Sequence, residues 1–136
     1  MIDLTLEIAE KAVGAARAKA RELGTPMTVT VVDEAGRLVL CARGDGTGFF
    51  TPETSRAKAM AAAAWRQPTA ALAELASKGS LFWNSVPTLF AGQVLVSTGG
   101  VPLVGGGRVI GAIGCGGGTG EQDHLCAVAG ADAVRG

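Results

Sequence analysis

The sequence predicts an α+β fold, and three observations predict it. Apolar residues at alternating intervals of three and four open the chain, short β-branched or apolar runs separated by turn residues follow in two places, and a capped helical segment closes it. The order helix, two strands, two helices, three strands, helix shows no internal repeat and no linker. The 136 residues therefore read as a single domain spanning 1–136. A composition 48% hydrophobic and 18% charged supports one buried core and no more.

Each element has a local cause. Leu6, Ala9, Val13, Ala16, Ala20 and Leu23 form one stripe of a long helix, with Asp3 as its expected cap and Gly24 and Pro26 as its end. Residues 28–32 are β-branched throughout, and 38–42 form a second strand after the turn-forming Asp33, Glu34, Ala35 and Gly36. Thr51 and Pro52 open a second helix by N-cap and N1 preference, with Ala57, Ala61 and Ala64 along its inward edge, and Pro68 breaks it. A shorter helix runs through Leu72 and Leu75 to Gly79. Pro87 argues against a regular element in residues 81–91, and residues 93–97 are expected to supply a strand. Residues 101–104 and 108–113 flank Gly105, Gly106 and Gly107 in a strand, turn, strand pattern. Thr119 and Gln122 then stand at capping-box spacing before Leu125, Val128, Ala129 and Asp132, so a last helix begins at about Gly120.

Charge and cysteine content exclude several classes. Lys plus Arg and Asp plus Glu both number 12, which removes the electrostatic term that nucleic acid or an anionic membrane would use. Zero net charge with a positive mean hydropathy points to apolar surface covered by copies of the same chain, a homo-oligomer. Cys41, Cys115 and Cys126 are odd in number, lack metal-ligand spacing, and read as reduced thiols and small buried hydrophobes. The start MIDLTLEIAE has no basic segment followed by an apolar one, and no window approaches the ~20 apolar residues of a membrane span. The expected location is the cytoplasm.

Four segments carry a resemblance: VTVVDEAGRLVLCARGDG at residues 29–46, RAKAMAAAAW at 56–65, GGVPL at 99–103 and VIGAIGCGGGTGEQD at 109–123. In that order they resemble the small haem-degrading or GlcG-like (HbpS-like) proteins. These include extracellular haem-binding members and the haem-binding module attached to some corrinoid adenosyltransferases. That family usually has Val and Ser where this chain has Cys115 and Gly116, and a general helix residue in place of His124. The resemblance implies a five-stranded antiparallel sheet flanked by helices, similar to profilin-like sandwiches. It also implies haem or a related tetrapyrrole as ligand, with possible assistance in its degradation.

The candidate site residues follow from both lines of reasoning. The glycines from Gly114 to Gly120 expose backbone, so Gly116 and Gly117 are expected in a shallow basin open to a small-molecule guest. Lys58, on the helix that resembles the family's, would hold an anionic group at its rim. Glu121 and Asp123 lie in a first helical turn, where the dipole favours them, and a partly buried carboxylate there could serve as a general base. His124, the only histidine, could shuttle protons or be ordinary helix surface. Arg43 and Asp45, with the apolar Phe50, lie on a loop fit to cover a ligand. Trp65, Phe82 and Trp83 could wall a flat ligand or serve core and interface, and Trp83 is read as interface. Two functions are consistent with this set. One is a haem-binding module. The other is a cofactor-independent isomerase or lyase acting on a small organic acid, with Lys58, Glu121 and His124 as its catalytic groups. No triad order, phosphate loop or metal cluster is present in the sequence.

Overall fold

The computed structural model describes residues 3–136 and places a four-stranded sheet between two layers of helices. In α1 (Leu6–Leu23), Ala9, Ala12, Val13, Ala16 and Ala20 are buried, whereas Leu6 is exposed. Thr5, not Asp3, caps this helix: its hydroxyl accepts from the Ile8 amide at 3.1 Å. Asp3 is drawn instead to Arg108, whose guanidinium also holds Glu34 at 2.8 Å. Gly24 ends the helix at φ 69°, a left-handed turn that glycine adopts without steric cost.

β1 (Thr28–Asp33) and β2 (Leu38–Ala42) form the first hairpin, and β3 (Gly100–Gly105) and β4 (Arg108–Gly116) the second. The strand order is β2-β1-β4-β3, with every neighbour antiparallel. The α+β class therefore holds, but the sheet has four strands rather than five. Residues 93–97 join no ladder. The Leu95 amide donates to Ala57 O at 3.2 Å, and Val94 packs with Ala61 and Val86. The alternating apolar pattern that predicts a strand is satisfied there by burial against a helix.

Residues 81–91 also differ from expectation, because α4 (Leu81–Leu89) forms despite Pro87. The Ser80 hydroxyl caps it by accepting from the Trp83 amide at 3.3 Å, and the proline sits close enough to the end that the helix stops two residues later. α3 (Thr69–Ser77) precedes it. Cys41 is exposed on the edge strand β2, not buried, whereas Cys115 and Cys126 are buried free thiols.

Alternation along β1 assigns the two layers. Val29 and Val31 face α1 and α5 (Gly120–Val134), while Thr28, Thr30 and Val32 face α2 (Thr51–Trp65). Phe50, not Thr51, occupies the N-cap position of α2. The Thr51 hydroxyl is engaged with Thr28 at 2.8 Å, and Ser55 with Thr30 at 2.7 Å, so hydroxyl pairs fasten this helix to the sheet. Its buried surface is largely alanine, although Ala64 is exposed. The helix lies so close to β4 that a Cβ on Gly114 would stand 2.0 Å from Ser55 O.

Two stability predictions follow from these contacts. Gly114→Ala should cost at least about 3 kcal/mol by overpacking against backbone. Gly14→Ala, on α1 with nothing within 4 Å of the added carbon, should gain roughly 0.5–1 kcal/mol. Urea unfolding of both variants checks the contrast. The second prediction concerns the first hairpin, where Asp33 accepts from the Ala35 and Arg37 amides and from Arg37 Nε at 2.9, 3.0 and 2.8 Å. Burial raises its pKa, but those bonds and the Arg37 charge outweigh burial and hold the carboxyl below its ordinary value. A depressed folded pKa gives stability that is present above the unfolded value, about 3.9, and lost as pH falls through the folded one. Asp33→Asn should therefore destabilise the protein at neutral pH and much less near about pH 2, as read by unfolding at both pH values.

Candidate functional site

A buried charge pair lies where the two helical layers meet. Lys58 is on α2, and its Nζ donates to Asp123 Oδ2 and to the Cys115 carbonyl, each at 3.0 Å. Asp123 belongs to α5, on the other side of the sheet, and its Oδ1 accepts from the Gly118 amide at 3.0 Å. The lysine reaches across because the entrance to β3 has no side chains. A Cβ on Gly99 would come within 2.8 Å of Cys115 O, 2.9 Å of Asp123 Cβ and 3.1 Å of Lys58 Cδ, and one on Gly100 would stand 2.4 Å from Lys58 O. The two side chains are 7% and 5% exposed. Asp123 also gains from the N-terminal end of α5, whose Thr119–Gln122 capping box forms as its spacing predicts.

Neighbouring thiols respond to this burial. Desolvation pushes the Cys115 thiol well above its ordinary pKa, with Cys126 and Asp123 adding to the shift. Cys126 is pushed up to about 11 by burial and then by Asp123. Both stay neutral at physiological pH and are poor nucleophiles.

The expected open basin at residues 114–124 is not there, because the protein itself fills most of it. Gly114 and Gly116 are buried beneath Ser55, Thr51 and Thr54 of α2. Gly117, at φ 129°, lies against Pro26 O and Thr47. Lys58 and Asp123 do come together, but as partners of each other. Glu121 is exposed and makes no side-chain contact with that pair, while His124 is half-buried with an enclosed Nδ1 that has no hydrogen-bond partner among the described residues. Arg43, Asp45 and Phe50 stand on the separate, exposed loop between β2 and α2, where the Phe50 ring lies 4.0 Å from that of Phe49. Trp65 and Trp83 meet edge to face at 5.0 Å.

One open recess does adjoin the predicted residues. It holds about 180 Å³ between the end of α1 and that loop, with Arg17 and Arg21 on one rim, Gly44 and Asp45 on the other, and Met27 between. Gly44 is required there, since a Cβ would fall 2.1 Å from Met27 O. The two guanidiniums are one helical turn apart and make no ion pair among the described residues. Like charges at this spacing cost an isolated helix about 0.2–0.5 kcal/mol. Sequence reasoning did not single out Arg17 or Arg21. The available signal was that neither has an acidic residue three or four positions away on its helix.

Fold and site together define a class: small α+β proteins with an antiparallel four-stranded sheet between two layers of helices. Within that class, residues 4–132 match the family described as Haem degrading protein HbpS-like, and the chain belongs to that family. It is 35% identical over 124 residues to an uncharacterized 15.0 kDa protein from the dhaT-dhaS intergenic region of Citrobacter freundii, covering 91% of this chain and 87% of that protein. It is 30% identical over 111 residues to protein GlcG of Escherichia coli K12, covering 82% and 79%. Among solved structures, the PduOC haem complex superposes with a TM-score of 0.88 at 26% identity, covering 98% of this chain and 96% of that one.

Removing one member of the buried pair leaves the other charged and unpaired. Lys58→Met should therefore cost about 3–5 kcal/mol in urea unfolding. Lys58→Met combined with Asp123→Leu should cost clearly less than the two single changes added together, and additive costs would show that the two charges do not depend on each other.

Proposed function

We propose that this protein binds haem or a related tetrapyrrole and, in keeping with its family's description, assists its degradation. The observation that carries this reading is the pair of guanidiniums at Arg17 and Arg21 beside the Met27 recess, neither in an ion pair among the described residues. Two carboxylates on one edge of a flat ligand suit two forked cations one turn apart. A recess of about 180 Å³ falls short of the roughly 300–1,000 Å³ that encloses a small ligand. It would therefore take that edge only, leaving the macrocycle outside the recess. The PduOC haem complex, similar across nearly the whole chain, supports the same ligand class. Bound haem would supply the reactive iron, and the chain's own residues would hold and orient it. Asp45 on the opposite rim completes the proposed contacts.

Chemistry on a small organic acid is less well supported by this geometry. That reading needs Lys58 to hold a substrate carboxylate, and Lys58 is committed to Asp123 inside the protein. Glu121 and His124 remain candidates without a cation beside them.

The proposal includes self-association of this one-domain unit in the cytoplasm. No charged residue occurs between Lys78 and Arg108, and α4 exposes Leu81, Phe82 and Leu89 at 82%, 59% and 77%. A second copy is the occupant that fits this face, because a chain of zero net charge meets its own kind without repulsion. No helix among the described residues is long and apolar enough to cross a membrane.

Titration of the purified protein with haemin should give a saturable Soret shift at one haemin per chain. Arg17→Gln with Arg21→Gln should weaken binding by roughly tenfold or more. Absence of any saturable shift in the unaltered protein removes the reading. Sedimentation should show the unaltered chain as an oligomer and Leu81→Asp with Leu89→Asp as a single chain; a monomeric unaltered protein would remove the self-association.

A further inference from the structure

We infer that the outer face of α2 carries a second ligand groove, shaped for an elongated apolar monocarboxylate. Three cavities of about 240, 190 and 190 Å³ lie in a row along that helix. The first two share Glu53 and Arg56 as walls, and the first and third share Met60. Glu53, Arg56, Met60 and Ala64 recur at intervals of three and four, so one stripe of α2 forms a continuous floor. None of these residues borders the recess at Arg17 and Arg21.

The groove differs in chemistry along its length. Between the first two cavities, where Glu53 also lines both, the Arg56 guanidinium is exposed and makes no hydrogen bond or ion pair among the described residues, Glu53 included. In the third cavity Trp65, Phe90 and Val94 supply an apolar wall, the two rings meeting edge to face at 6.0 Å, and the Glu34 carboxylate that also lines it is held by Arg108. Between Arg56 and that wall lies Met60, whose flexible thioether adapts to varied apolar shapes. Its Cε lies 3.6 Å from where a Cβ on Gly36 would sit, so the first hairpin turn closes that side. From Arg56 to Trp65 the helix rises roughly 13 Å over two and a half turns, and the two are linked along the cavities through Met60, a path that selects an extended ligand over a compact one.

The opposite lip of the groove is strained. Ala91, between the wall residues Phe90 and Gly92, is held at φ 52°, a left-handed conformation that residues with a Cβ rarely adopt. Such strain persists where surrounding structure imposes it and gathers at ligand-holding segments. The hydrogen bond from the Leu95 amide to Ala57 O ties this lip to α2.

Decanoate is the probe, titrated by calorimetry and by tryptophan emission, with decylamine and decanol as chains of equal length. Decanoate should bind saturably, alter the emission of Trp65 and displace both comparison compounds. Arg56→Gln should weaken it at least fivefold, Arg56→Lys should restore part of the affinity, and Lys11→Gln, which removes an exposed α1 charge elsewhere, should leave it unchanged. Equal binding of decylamine, saturable binding with no change in emission, or an Arg56→Gln variant that folds and binds as tightly as the parent would each overturn the inference. Haemin binding is scored separately on the same variants, so the tetrapyrrole reading stands or falls on its own result.

Discussion

The ion pair between Lys58 and Asp123 constrains the rest of the structure, because it joins helices on opposite sides of one sheet. Taking two charges out of water costs several kcal/mol per ion and is recovered only when every remaining donor and acceptor finds a partner. Here the lysine also reaches the Cys115 carbonyl and the aspartate also takes the Gly118 amide. The side chains around them must then be small. Gly99 and Gly100 open the passage, Gly114 lets α2 settle onto β4, and the alanines of that helix fill the space without pushing it away. On the far side Gly130 performs the same task for α1, since a Cβ there would meet Ala12 O at 2.8 Å and Ile113 Cδ1 at 2.5 Å. The high glycine and alanine content is thus a packing requirement more than a sign of flexible backbone.

This explains why the glycine-rich exit of β4 misleads when read as a ligand basin. Absent side chains permit close approach but do not say what approaches. In this chain it is α2, held by the hydroxyl pairs Thr28 with Thr51 and Thr30 with Ser55. Nothing in the local sequence distinguishes a helix of the same chain from a guest molecule, since both need bare backbone.

Elements governed by local rules were legible in the sequence. The capping box at Thr119 and Gln122, the second strand at Leu38–Ala42 and the turn at Gly106 and Gly107 all form where residue chemistry places them. What was not legible depends on distant partners. Residues 93–97 have the pattern of a strand, yet α2 takes the Leu95 amide and packs against Val94. Lys58 and Asp123 each stood out, but 65 positions separate them, and only the fold shows that each is the other's partner. Arg17 and Arg21 carry no motif in the sequence, and only the fold places them opposite Asp45.

The division between closed centre and open surface bears on where binding can occur. A guest that displaced Asp123 from Lys58 would have to replace hydrogen bonds made by two buried charges, a substitution that an external carboxylate gains little by making. A guest at Arg17 and Arg21 meets the opposite situation, because both cations are exposed and make no ion pair among the described residues. The recess floor at Pro26 and Met27 also touches Gly117, and Gly118 beside it donates to Asp123. The buried pair therefore fixes the backbone on which the recess is built while remaining out of a ligand's reach, and in the proposed reading recognition falls to Arg17 and Arg21, which make no ion pair among the described residues.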